Sequence, residues 1–316
     1  MKTTYLSCSF LLMSAVWLTA CEDHRESPNA SFPERINFVA QRQYPEGIAY
    51  SSQLNAFLVT SIPLGKIGTV GLDGRYTDLL TAPELIAGIG MKVSGNRAFV
   101  CNSDQGRSIR STPATTRQTA ELLVFNLNTG QLERRTDLDA LLPEADPNFA
   151  NDVTLAPDGT AYVTDSFSPV IYRVAPDGTA SILVRDNAKL GSTGFGLNGI
   201  VYHPNGYLLV ANAGQGKLYK VDLQNGNAIT EITGTGALPG DGLTLLNGDL
   251  YVVTGGNRVA QVRTNDNWQT ASIVKFDAAD YVGATTSVAV NNQIYTLNAR
   301  IGENANAQDF SIQRFR

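Results

Sequence analysis

From residue 35 onward, apolar runs of about five residues recur along the chain, each bounded by Gly, Asn or Asp. No segment sustains a 3.6-residue apolar period, so the pattern predicts many short strands and almost no helix. A longer period overlies the short one. Glu46-Gly47-Ile48-Ala49-Tyr50, Asn198-Gly199-Ile200-Val201-Tyr202 and Asp241-Gly242-Leu243-Thr244-Leu245 are copies of one motif, and Asn151-Asp152-Val153-Thr154-Leu155 is a fourth. Weaker copies begin at Ile89 and Thr286. The starts at 46, 89, 151, 198, 241 and 286 are 43, 62, 47, 43 and 45 residues apart. One four-stranded propeller blade takes about 40–50 residues. The expected fold class is therefore all-β: a six-bladed β-propeller over residues 35–316, with four antiparallel strands per blade.

Turn chemistry agrees with this division. Pro157-Asp158-Gly159 and Pro176-Asp177-Gly178 separate apolar runs within the third unit, and Asx-Gly pairs supply the positive φ that tight hairpins demand. Residues 35–40 read as an extra strand that joins the last blade and closes the ring, removing a sheet edge. If the strands of each unit are called A to D, with A along the axis, the short Asp-Gly turns gather on one face. The long connections 139–150, 186–197 and 233–240 gather on the other. The polar B-to-C loop 103–120, with Arg107, Arg110 and Arg117, joins them. Long loops collected on one face of a rigid scaffold are where function concentrates.

The first residues of the six A strands fall at the tunnel mouth on that face: Glu46, Ile89, Asn151, Asn198, Asp241 and Thr286. Four of them offer oxygen donors that converge on one axis. Oxygen ligands without His or Cys suit Ca²⁺ or Mg²⁺ better than zinc. Two carboxylates facing each other are costly, and a divalent cation is a physical reason for them to coexist. The alternative is that the four merely cap strands. Asp165 and Asn212, at the ends of two B strands, read as turn-forming caps. Asp152 reads as support for its neighbour Asn151 or for nearby loops.

These four copies within a six-unit repeat resemble the senescence-marker-protein (regucalcin)/gluconolactonase family, whose wider relatives include paraoxonases, diisopropyl fluorophosphatase and Drp35-type lactonases. The resemblance implies one catalytic divalent ion, Ca²⁺ or else Mg²⁺, Mn²⁺ or Zn²⁺, held by Glu46, Asn151, Asn198 and Asp241. It implies hydrolysis of a lactone or related ester, with Asp241 activating water or attacking directly and Phe149 lining the substrate pocket; Ile89 and Thr286, the remaining strand starts at the tunnel mouth, are expected to line it as well. Phe149 departs from the sugar-lactone-hydrolysing members, which carry an Arg there. A drier pocket and a more apolar substrate follow. His203 falls in an A-to-B turn on the opposite face, so the histidine pair of paraoxonase-like members has no counterpart.

The amino terminus adds a destination. Lys2 precedes a short apolar stretch at residues 10–18, well under the roughly 20 residues that span a bilayer. Leu18-Thr19-Ala20-Cys21 resembles the lipobox of bacterial lipoprotein signal peptides. The expectation is a signal peptide at 1–20, lipidation of Cys21, a polar tether at 21–34, and a protein anchored to the cell envelope. With Cys8 removed and Cys21 lipidated, Cys101 stands alone in a strand and reads as a buried small hydrophobe. A net charge of −5 without a basic stripe argues against nucleic acid, and membrane contact is expected only through the anchor. The partner is then a small-molecule substrate or ligand. The rival reading is a metal-stabilised propeller that binds a small molecule or an envelope protein without catalysis, because propellers host many unrelated roles.

Overall fold

The structure, a computed structural model, describes residue 1 and residues 32–255, 257–302 and 306–316. Apart from Met1, the expected signal peptide, Cys21 and most of the polar tether lie outside the described residues. Contacts divide the chain into Met1–Phe32 and Pro33–Arg316, and the second unit is a ring of six four-stranded antiparallel sheets. The six-bladed propeller is the fold. Its innermost strands are Ile48–Ser51, Gly88–Ser94, Ala150–Leu155, Leu197–His203, Gly240–Leu246 and Ala284–Val290. Helix among the described residues amounts to a 3₁₀ turn at Asp139–Leu141 and one α-turn at Asn187–Leu190. No helix among them is long and apolar enough to cross a membrane.

Blades one to five run from axis to rim in chain order. The sixth is composite. Its outermost strand is Arg35–Val39, paired antiparallel with Asp309–Arg314 so that Arg35 faces Gln313 and Val39 faces Asp309. In the third blade both expected hairpins form. Asp158 and Asp177 accept hydrogen bonds from the backbone N–H groups of Thr160 and Thr179, and Gly159 supplies the left-handed φ of +85° that closes the first turn.

The core lies between blades. One cluster joins Ile89, Cys101 and Leu122 of blade two to Val153, Val163 and Tyr172 of blade three. Another joins Leu209 and Leu218 of blade four to Leu243, Leu250 and Trp268 of blade five. Each sheet is thus covered by its neighbours, which is why the strands read as nearly continuous apolar runs. Cys101 is fully buried there, and burial pushes its thiol well above the usual range, against any nucleophilic role. His203 sits on the short-turn side, stacked on Tyr207 at 4.2 Å.

Candidate metal centre and ligand cavity

In blades two to six, the inner strand breaks register directly after its first residue, between Gly88/Met91, Ala150/Val153, Leu197/Ile200, Gly240/Leu243 and Ala284/Ser287. A bulge leaves residues out of the ladder and re-aims their side chains. Ile89, Asn151, Asn198 and Asp241 are the first bulged residues, and Glu46 takes the same place in blade one, just before Ile48. All five line one cavity of about 270 Å³, with Phe149, Phe195, Gln105, Asn257 and Thr285. In blade six the bulge sets Thr285 at this position. Thr286, expected in the pocket, is the next residue and packs instead on Gly242, where an added Cβ would lie 2.1 Å from its hydroxyl.

Hydroxyl groups stitch these backbones to their neighbours. Thr60 accepts from the Gly47 N–H (2.8 Å) and donates to the Ile89 carbonyl of blade two (3.0 Å). Thr164 donates to the Asn198 carbonyl (2.6 Å), and Thr285 to the Glu46 carbonyl across the closed ring (2.8 Å). Ser166 accepts from the Asn151 amide at 2.8 Å and donates to the Leu197 carbonyl at 2.6 Å. The residue after each first position is Gly in four blades because the chains nearly touch: a Cβ on Gly199 would stand 2.3 Å from the Asp241 carbonyl oxygen. Asp152 fills that place in blade three. Its carboxylate accepts from the Val153 N–H (2.8 Å) and from the Ile200 N–H of blade four (3.2 Å), so it braces two blades.

The electrostatics are those of acceptors short of donors. Burial raises Glu46 well above the ordinary carboxylate value, and the nearby charges of Asp241 and Asp152 raise it further, against a weaker pull from Lys92. Asp241 is pushed up to about 7 by burial and then by Asp152, with the Asn198 amide pulling it back down. Glu46 Oε2 and Asn151 Oδ1 are buried with no hydrogen-bond donor among the described residues. A buried acceptor left unpaired costs on the order of 1–3 kcal/mol, and folded proteins carry few of them. Two stranded oxygens in a set of two carboxylates and two amides fit a hard divalent cation. No cluster of three or more His, Cys, Asp or Glu side chains with metal-binding geometry occurs among the described residues, so a cation here would depend on the two asparagine oxygens.

Asp165 is a cap, fully buried. It accepts from the N–H groups of Phe149, Phe167 and Ser168 and from the Tyr172 hydroxyl, and burial still raises it to about 6. Asn212 ties the Leu190 carbonyl to the Gln215 N–H in the same manner. Phe149, held by Asp165, packs against Phe167 at 5.0 Å and Phe195 at 5.5 Å, giving the cavity an aromatic wall. The 103–120 loop is organised by Asp104, which the sequence did not single out. Its buried carboxylate accepts from the Gly106 N–H and from the hydroxyls of Ser111 and Thr115.

Against known structures, the chain is similar to the allergen Mala s 1 of Malassezia sympodialis (TM-score 0.70, 16% identity, 89% of this chain and 96% of that one). It is also similar to virginiamycin B lyase from Staphylococcus aureus (0.61, 14%, 89% and 98%) and to a gluconolactonase from Xanthomonas campestris (0.60, 14%, 89% and 89%). These neighbours share the six-bladed propeller architecture with this chain. No protein-family model matches the sequence, and no curated protein sequence matches it significantly. Identities this low carry the architecture alone, so the chemistry rests on the cavity.

Proposed function

We propose that this protein hydrolyses a lactone or related ester at a divalent cation, Ca²⁺ first among the candidates, held by Glu46, Asn151, Asn198 and Asp241. The observation that carries this reading is the pair of stranded acceptors, Glu46 Oε2 and Asn151 Oδ1, on the cavity that Asp241 also lines. A cation bound there supplies Lewis acidity toward a carbonyl oxygen. Asp241 is the carboxylate best placed to take a proton from water or to attack, since it is the more exposed of the two carboxylates that line the open cavity. Phe149, Phe195 and Ile89 exclude water around the apolar part of the substrate. Asp152 holds the bulged backbone of Asn151 against blade four.

The likeness to virginiamycin B lyase brings elimination into view. A histidine-to-alanine form of that lyase is catalytically inactive, whereas no histidine among the described residues lines this cavity, which favours hydrolysis. The deciding experiment is a panel of lactones and esters assayed with calcium and with chelator, on the natural protein and on Asp241→Asn. Turnover abolished by both supports the proposal. Tight metal binding without turnover on any substrate moves the protein to the binding role. We further propose export and anchoring through Cys21. Cys21→Ser is then expected to release the protein from the membrane fraction, and continued membrane association of that variant would refute it.

A further inference from the structure

Beside the ligand cavity lies a second recess of about 330 Å³, which shares Ile62 and Ile301 with it and adds Arg42, Tyr44, Pro63, Arg107 and Gly302. In ring order this recess stands over blades six, one and two, across the axis from the aromatic wall of Phe149 and Phe195 on blades three and four. Its two guanidinium groups have no hydrogen bond or ion pair with the described residues. Other arginines of the same loop are committed. Arg110 donates to the carbonyls of Leu64, Gly65 and Leu85, and Arg117 lies over the Phe167 ring at 4.1 Å.

The two uncommitted arginines project from fixed backbone. Arg42 has a left-handed φ of +53°, uncommon for a residue other than glycine. It is held there by its neighbour Gln43, whose fully buried amide donates to the Thr60 carbonyl (2.9 Å) and accepts from the Tyr76 hydroxyl (2.8 Å). Arg107 follows Gly106, whose N–H is bound by the buried Asp104 carboxylate at 2.7 Å. The floor between them is apolar: Ile62, Pro63 and Ile301. Two exposed arginines on fixed backbone at the edge of an aliphatic floor, beside a cavity with carboxylates and a phenylalanine wall, describe a site for an amphipathic anion.

We propose that this recess is an anion subsite, and that the substrate is a lactone or ester whose aliphatic part crosses Ile62 and Ile301 and ends in a carboxylate or phosphate held by Arg42 and Arg107. The word substrate rests on the hydrolase reading above, whereas anion binding stands without it. Guanidinium groups pair with both anions through charge-assisted, bidentate hydrogen bonds.

The test is calorimetric titration of the full chain with three non-hydrolysable amphiphiles: octanoate, octyl phosphate and neutral octanol. Each is run in chelator and in calcium. At least one anion is expected to bind more than tenfold tighter than octanol, and the tighter of the two identifies the headgroup. Each of Arg42→Gln and Arg107→Gln is expected to weaken that binding about tenfold, the order expected for loss of one charge-assisted contact. Arg75→Gln, on the short-turn face, is expected to leave it unchanged. Octanol binding as tightly as the anions, no binding by either anion, or anion affinity untouched in the Arg42→Gln/Arg107→Gln double variant would overturn the proposal. Arginine-dependent anion binding in a protein that turns over nothing on the lactone panel would leave this subsite standing and remove only the catalytic reading.

Discussion

Replacing Asp241 by asparagine is expected to stabilise the metal-free protein at pH 8, although the residue belongs to the centre of the site. The carboxyl stands near 3.8 in an unfolded chain and is pushed up to about 7 in the folded one, mainly by burial. Well below pH 3.8 both states carry the proton and the group contributes nothing. Between 3.8 and about 7 the folded state keeps a proton that the unfolded chain has released, so stability falls as pH rises through that window, and the full cost is present above it. Three units at about 1.36 kcal/mol each set a ceiling of about 4 kcal/mol. Water in the open cavity reduces this, and half the ceiling, about 2 kcal/mol, moves the melting midpoint of a domain this size by roughly 4–8 °C. Asparagine keeps the shape and removes the charge.

The assay is thermal unfolding of both proteins at pH 4 and pH 8, in chelator and in millimolar calcium. In chelator, Asp241→Asn should melt higher than the natural protein at pH 8 and nearly level with it at pH 4. In calcium at pH 8 the order should invert, because a ligand at 100 times its Kd stabilises the natural protein by about 2.7 kcal/mol. A variant that melts at or below the natural protein at pH 8 in chelator, or a difference that ignores pH, would refute the picture of a buried charge in need of a partner.

Other outcomes follow from the same geometry. Phe149→Arg is expected to shift kcat/KM across the lactone panel toward hydroxylated substrates, since it replaces an aromatic wall with hydrogen-bond donors. Gly199→Ala should cost about 2–4 kcal/mol in urea unfolding, as a methyl 2.3 Å from the Asp241 carbonyl forces blades four and five apart. Asp165→Ala strands three N–H groups and the Tyr172 hydroxyl. It should cost about 3 kcal/mol or more by the same measurement and raise KM more than the Gly199 variant does, because Phe149 loses its hold.

The ring was legible because its signals are local and repeated: apolar runs recur in every blade, and Asx-Gly turns mark hairpins in blades one, three, four and five. The cavity's first positions were legible in five blades because Glu, Asn, Asp or Ile followed by Gly, or Asn-Asp in the third, contrasts with the strand that comes next. In blade six that contrast is missing. Ala284-Thr285-Thr286-Ser287 is uniformly small and polar, so nothing in it marks where the bulge begins, and the expected start falls one residue late. The organising roles of Gln43 and Asp104 were not readable either. Gln43 earns its burial from Thr60 and Tyr76, 17 and 33 residues away, and Asp104 from a loop with no periodicity at all.

The strand that finishes the sixth blade precedes every other described strand in the chain. Residues 35–39 leave the ribosome some 270 residues before their partner at 309–313 exists, so five blades can assemble while the sixth waits for the last turn of the chain. Until then an unpaired strand is exposed at the start of the chain, and contacts this distant in sequence form slowly. Completion of the ring therefore waits on the latest of its described strands, and its vulnerable moment is the interval before residues 35–39 and 309–313 meet.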